Sequence, residues 1–153
     1  MRPFTIIVIA IFLAILFGAN QLYKNCSNKT KSRIFTSLLW TLLSFTICLI
    51  YMGAMTVSTR SGMAFPDWPT SDGVLWPSWN YFMSQTDRFY EHVHRLFGEF
   101  VGFLAIMTLM FSRHFERERN FKLALLIFIM VCIQGGLGGL TVAKNTLWLT
   151  TVL

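Results

Sequence analysis

Three residues near the middle of the sequence have the types and the spacing of a ligand-binding site. Glu91, His94 and Arg95 lie three and four positions apart, so on a helix they share one face. A neutral histidine binds metals through a ring nitrogen, and an arginine fork suits carboxylates such as haem propionates. Gly98 continues the face and leaves room for a flat ring. The pattern suits a haem held in a helix bundle. The alternative is that His94 and Arg95 are interfacial side chains reaching toward lipid headgroups.

The other titratable side chains of this region are expected to lie elsewhere. His92 points about 160–200° away from His94 on a helix, so we predict it at the surface of the preceding loop. His114 lies in a basic segment and is predicted to be solvated. Glu99 is expected to face the bundle interior and to pair with Arg95 at i,i+4. Neither of the other two histidines is then placed to share one haem with His94.

A second segment of interest is the glycine-rich stretch Gln134–Thr141. Gly135 and Gly139 are four positions apart, which in membrane helices is typical of close helix–helix contact. The alternative is that the bare backbone at Gly138 and Gly139 admits a large planar ligand, with Gln134 as a polar contact. The residues alone leave both interpretations open.

The composition indicates that these segments lie in a membrane. The chain has 153 residues, of which 54% are hydrophobic and 13% charged, and its mean hydropathy is +0.55. A soluble domain has about 45–50% apolar and about 25% charged residues. The composition therefore argues against a soluble globular enzyme and a disordered tail. The three cysteines form no C-x-x-C pair, so a disulfide framework or structural zinc site is not indicated.

Four apolar runs predict the architecture. A helix needs about 20 apolar residues to cross about 30 Å of hydrocarbon, and these runs are long enough or nearly so. We therefore predict an all-α, polytopic membrane four-helix bundle. The predicted spans are Phe4–Ala19, Ile34–Val57, Val93–Ser112 and Leu123–Ala143.

The distribution of basic residues predicts the orientation of the bundle. Residues 21–33 and 113–122 hold eight of the 13 lysines and arginines, so both loops are expected in the cytoplasm. The long loop 58–90 and the N-terminus are then outside. This topology accounts for the net charge of +6 without nucleic acid as a partner. We predict a multi-pass protein of the cell (inner) membrane whose first helix is retained rather than cleaved as a signal peptide.

The last eight residues, Thr146–Leu153, are apolar but too short to cross a bilayer. We expect them to begin a truncated fifth helix. The alternative is an interfacial tail anchored by Trp148.

Three motifs together resemble the haem A synthase family. Residues 59–69 match T-x-S-G-x-x-x-P-D-W-P, residues 91–95 match E-x-x-H-R, and residues 134–142 match Q-x-x-L-G-G-L-T-V. Their order and rough spacing also agree with the family. The resemblance covers the chain from about Ser58 to its C-terminus.

The resemblance implies an enzyme that oxidises a methyl group of haem O to the formyl group of haem A, for cytochrome oxidase assembly. Members have two similar four-helix halves, each with a pair of haem-binding histidines. His94 would then ligate haem iron, as haem b or as the substrate haem O. Glu91 would be the catalytic acidic residue. The remaining haem contacts expected here are Arg95, Gly98, Gln134, Gly138 and Gly139.

The sequence departs from this family in ways that affect the expected organisation. Residues 1–33 form an extra helix and loop, whereas 34–153 is the family domain, incomplete at its C-terminus. The two loop cysteines of many members are replaced by Phe65 and Ser71, so we expect no thiol chemistry there. The partner histidine is expected on a helix continuing past Leu153.

The incomplete domain bears on the partners and the function. Expected partners are the lipid bilayer, haem O synthase, and a second half or another copy of the chain to complete the site. Two other functions remain open. One is a non-catalytic haem-binding assembly or electron-transfer subunit, and the other is a structural membrane protein.

Overall fold

A computed structural model of the chain describes residues 3–65, 71, 73, 78–115 and 118–144. Over these residues the backbone is almost entirely helical, and the all-α prediction is confirmed. The helices are α1 (Pro3–Lys24), α2 (Asn28–Ser58), α3 (Trp79–Phe82), α4 (Thr86–Ser112) and α5 (Glu118–Lys144).

The structure confirms three of the four predicted spans. Helices α2, α4 and α5 are long and apolar enough to cross a membrane. Each begins before the apolar run in the sequence. The predicted span Phe4–Ala19 is helical as part of α1. A crossing by α1 stays a prediction.

Helix α4 is the central element of the bundle, and α1, α2, α3 and α5 all pack on it. The rings of Phe45 and Phe97 join α2 to α4, with centroids 5.7 Å apart, and Phe12 and Phe103 join α1 to α4 at 5.2 Å. Ala105 of α4 is fully buried. Any functional group on α4 near its N-terminal end is therefore positioned chiefly by α2.

The chain reverses between α1 and α2 in a tight turn. Ser27 caps α2, since its Oγ accepts a hydrogen bond from the Thr30 N–H at 3.3 Å. The Tyr23 hydroxyl donates to the Lys31 carbonyl at 3.0 Å and ties the two helices together. The predicted basic loop 21–33 is thus largely helical, and only a few residues form the turn.

His114 is partly exposed, but it also makes contacts within the protein that were not predicted. Its Nε2 lies 3.0 Å from the Asn20 Oδ1, and its ring lies 5.4 Å from that of Tyr23. These contacts were not predicted because α1 packs back onto the end of α4, which local sequence does not reveal. Burial lowers the pKa of His114, and the nearby charges of Lys31 and Lys24 lower it further, which favours the neutral imidazole.

Two sequence predictions fall on residues outside those described. The predicted fifth helix, Thr146–Leu153, is one, and residues 66–69 of the first family motif, in the 58–90 loop, are the other. Of the outer loop, the structure gives residues 59–65, 71 and 73 and the short helix α3.

Candidate functional site

The end of α2 directs the chain back toward α4. Arg60 adopts a left-handed conformation, with φ at 56°. The Ser61 N–H donates to the Thr56 carbonyl at 2.8 Å, and the Arg60 N–H donates to the Val57 carbonyl at 3.1 Å. These are the two hydrogen bonds of a Schellman motif, which ends a helix and turns the chain sharply. Residues 61–65 are thereby brought against the N-terminal part of α4.

Glu91 and Arg95 hold this returning segment. The Glu91 Oε2 accepts hydrogen bonds from the Ala64 N–H at 2.5 Å and the Phe65 N–H at 3.1 Å, while its Oε1 pairs with Arg95. Arg95 also donates to the Phe65 carbonyl at 3.4 Å. The side chains of Arg95 and Glu91 are only 9% and 4% exposed. Both oxygens of the carboxylate are therefore engaged, and the pair anchors the segment to α4.

Arg95 pairs with Glu91 rather than with Glu99, so the predicted Arg95–Glu99 pair is wrong. Side chains on an α-helix point back toward its N-terminus, which carries the guanidinium toward residue 91 and away from residue 99. Glu99 does not face the bundle interior as predicted but lies on an exposed position of α4.

His92 is buried, contrary to the prediction that it lies at the loop surface. It is 2% exposed, and its Nδ1 lies 3.3 Å from the Ser71 Oγ. The Phe65 ring packs edge-on against it, with centroids 6.2 Å apart. The prediction failed because the outer loop folds over this face of α4. Phe65 and Ser71, the positions at which loop cysteines were expected, thus both lie against one imidazole.

His94 packs in the opposite direction, against α2. Its Nδ1 lies 3.2 Å from the carbonyl oxygen of Leu49. Because a carbonyl can only accept, Nδ1 carries the proton and Nε2 keeps its lone pair. Metal-ligating histidines commonly donate their second ring N–H in this way, which fixes the ring and its tautomer. The arrangement prepares Nε2 to bind a metal.

Two residues of α2 also lie against the His94 ring, Leu49 through its carbonyl and Gly53 through its backbone. The sequence analysis did not predict either of them. A Cβ added at Gly53 would lie 2.9 Å from the His94 Cε1. A signal was present in the sequence, since Gly53 is the only glycine in the apolar run 34–57 and glycine is unfavourable inside a helix.

The other predicted haem contacts do not lie together around His94. Gly98 is on α4, whereas Gln134, Gly138 and Gly139 are on α5. A Cβ at Gly98 would lie 3.9 Å from a Leu49 methyl group, which is an ordinary contact distance. On α5, Gln134 and Gly138 are exposed, whereas Gly139 is buried.

The two interpretations of the glycine-rich stretch both stay predictions, since Gly139 is buried while Gly135 is exposed. A Cβ added at Gly135 or Gly138 would meet nothing within 4 Å. These two positions therefore have open space beside them in the described part of the chain.

The donor set suits haem better than a bare metal ion. Among the described residues, no group of three or more His, Cys, Asp or Glu side chains is placed to hold a metal ion. A haem iron takes only its axial ligands from the protein, and a single histidine serves in several haem proteins. His94, with Nδ1 bound to a carbonyl and Nε2 available, fits that requirement.

Comparison with known proteins decides the family. The sequence profile of a family described as cytochrome oxidase assembly protein matches residues 36–151. The chain belongs to this family. The resemblance to haem A synthases drawn from the three motifs is thereby confirmed, and the match includes α2, α4 and α5.

The curated relatives of this cytochrome oxidase assembly family member are named Heme A synthase. The protein of Pelagibacter ubique is 25% identical over 135 residues, covering 70% of this chain and 40% of its own length. That of Agrobacterium fabrum is 29% identical over 133 residues, covering 81% of this chain and 35% of its own. The chain thus spans well under half the length of these relatives. No solved structure matches.

Proposed function

We propose that this chain forms the haem-binding part of a haem A synthase-like oxidoreductase, which oxidises a methyl group of haem O to the formyl group of haem A. The names of its relatives support this reaction. The observation that carries the proposal is His94, whose Nδ1–H is directed to the Leu49 carbonyl so that Nε2 is available to iron. Haem bound there would supply the iron and the methyl group that is oxidised. The oxidation would also take its oxygen from water and pass its electrons to an acceptor outside this chain.

The residues around His94 have distinct roles in this proposal. Glu91 and Arg95 keep residues 64–65 folded over the outer end of α4, which limits the access of water. Glu91 is also the proposed acidic residue of the oxidation, with its charge paired with Arg95 in this structure. Arg95 remains the proposed partner of a haem propionate. Contacts of haem with Gly98, Gln134, Gly138 and Gly139 stay predictions.

A second function is favoured by the same carboxylate. Both Glu91 oxygens are engaged by the Ala64 and Phe65 N–H groups and by Arg95. A carboxylate held in this way is poorly placed to accept a proton from a substrate. This supports the alternative of a non-catalytic haem-binding assembly or electron-transfer subunit.

Supplying haem O distinguishes the two functions. The chain, produced in membranes together with haem O synthase and with the rest of its reading frame if that is longer, should yield haem A, detected by mass spectrometry of the extracted haem. His94→Ala should abolish the product because the iron loses its ligand, whereas His114→Ala, at the other end of α4, should leave it unchanged. Bound haem O without any haem A would favour the electron-transfer subunit. A protein without haem would leave a structural role.

The proposed orientation is outside for the N-terminus and the 58–90 loop, and cytoplasmic for 113–122. Ser84 and Arg119 are exposed and lie at opposite ends of the helices. In a variant with the three native cysteines replaced, Ser84→Cys should react with a membrane-impermeant maleimide in intact cells. Arg119→Cys should react only after lysis. Reaction of both from one side would contradict the topology.

A further inference from the structure

We propose that Gly53 is a positioning residue for His94. Its missing side chain lets the imidazole lie against α2, so that Nδ1–H reaches the Leu49 carbonyl and Nε2 becomes the nitrogen that binds metal. The assignment of Nε2 to haem iron rests on the proposed function, but the positioning of the ring does not.

The steric part of the argument concerns the distance between the ring and α2. A Cβ at Gly53 would lie 2.9 Å from Cε1 and 3.3 Å from Nδ1 of His94. Carbon atoms in favourable contact are about 3.5–4.0 Å apart. An imidazole is rigid and planar, so it cannot yield as the end of a long aliphatic chain would. Any side chain at position 53 must therefore rotate the ring or separate the two helices.

The hydrogen-bonding part concerns access to the Leu49 carbonyl. Leu49 and Gly53 are four positions apart, so this carbonyl points along the helix toward residue 53. Side chains on a helix tilt toward its N-terminus, and one at position 53 would cover that oxygen. Glycine leaves it open. Since a carbonyl has two lone pairs, the oxygen can accept from the imidazole as well as from the helix backbone.

Two other helical glycines whose surroundings the structure describes, Gly98 and Gly18, do not have this property. A Cβ at Gly98 would make an ordinary contact with Leu49, and one at Gly18 of α1 would meet nothing within 4 Å. Gly18 lies outside the proposed site, so Gly18→Ala provides a matched control for the intrinsic effect of alanine in a helix.

The first experiment uses apo protein and needs no haem. In ¹⁵N-histidine-labelled protein at mildly alkaline pH, the His94 signals, identified by their loss in His94→Ala, should show a protonated Nδ1 and an unprotonated Nε2. Gly53→Ala should shift His94 toward the Nε2–H tautomer, whereas Gly18→Ala should leave it unchanged. An unchanged tautomer in a folded Gly53→Ala variant would overturn the proposal. If that variant does not fold, the wild-type spectrum decides, and a wild-type Nε2–H tautomer overturns it.

The second experiment titrates the same proteins with iron protoporphyrin IX. When a metal-binding histidine loses the hydrogen bond made by its other ring nitrogen, metal binding weakens by about 10–100-fold. We expect an effect of this size for Gly53→Ala, which would break the bond from Nδ1–H to Leu49. Gly18→Ala should bind as the wild type does. If wild-type protein fails to bind haem, the proposed function fails, while the tautomer measurement still decides the role of Gly53. Equal affinity of wild type and Gly53→Ala, when wild type binds, contradicts the positioning role.

Discussion

Glu91→Gln should destabilise the protein by about 3–5 kcal/mol, the typical cost of removing one partner of a buried ion pair. The substitution keeps the size of the side chain but removes its charge. The side-chain NH2 of the glutamine must then face either Arg95 or the N–H groups of Ala64 and Phe65. All of these are donors, so the NH2 finds no acceptor there. One buried donor is left without an acceptor whichever way the amide turns.

The chain offers a matched control for this substitution. Glu118 and Lys122 form another i,i+4 pair, 3.0 Å apart, but their side chains are 79% and 69% exposed. Exposed pairs of this kind contribute about 0.3–0.5 kcal/mol, so Glu118→Gln should have almost no effect. Thermal unfolding in detergent measures both changes. Equal losses for the two variants would show that the Glu91–Arg95 pair does not anchor the returning segment.

The rate of tryptic cleavage measures separately whether the returning segment, residues 61–65, is released from α4. Arg60 is exposed at the start of the segment, so trypsin can cut there once the chain opens locally. Glu91→Gln should be cut after Arg60 faster than wild type even well below the unfolding temperature. If cleavage accelerates only when the whole protein unfolds, the carboxylate stabilises the bundle but does not hold the segment.

The local part of the site could be predicted from sequence. Glu91, His94 and Arg95 share a face because they lie on one helix, and helical spacing is readable in the order of residues. The direction of Arg95 was misjudged although it is also local, because spacing alone does not say that helical side chains point back toward the N-terminus. The spacing shows that both Glu91 and Glu99 are neighbours of Arg95, but not with which of them the guanidinium pairs.

The non-local part could not be predicted. His92 is buried by Phe65 and Ser71, and the His94 ring is placed by Leu49 and Gly53, which precede it by more than 40 positions. Such contacts depend on how helices and loops pack, and periodicity carries no information on that. The helices themselves were easier, since each long apolar run must be helical to satisfy its backbone in a membrane.

The isolated 153-residue polypeptide should bind haem with His94 as its one protein ligand, giving a five-coordinate, high-spin spectrum. A six-coordinate bis-histidine haem needs imidazoles on opposite faces of one ring. The His92 ring instead lies against Ser71 and against Phe65 of the returning segment. His114 is about 30 Å away by helix rise. Added imidazole should therefore convert the spectrum to the low-spin form, and His94→Ala should remove binding, whereas His114→Ala should not.

The dependence of this spectrum on protein concentration shows where a second ligand comes from. If another copy of the chain supplies it, the low-spin fraction should rise with concentration, together with the oligomer seen by size-exclusion chromatography. If the ligand belongs to a second half or to another protein, the spectrum should stay high-spin at every concentration until that protein is added. A bis-histidine spectrum from the dilute monomer would contradict both outcomes, because it would require His92 to leave its buried position beneath the outer segment. His92→Ala identifies that case, since it would return the spectrum to high-spin.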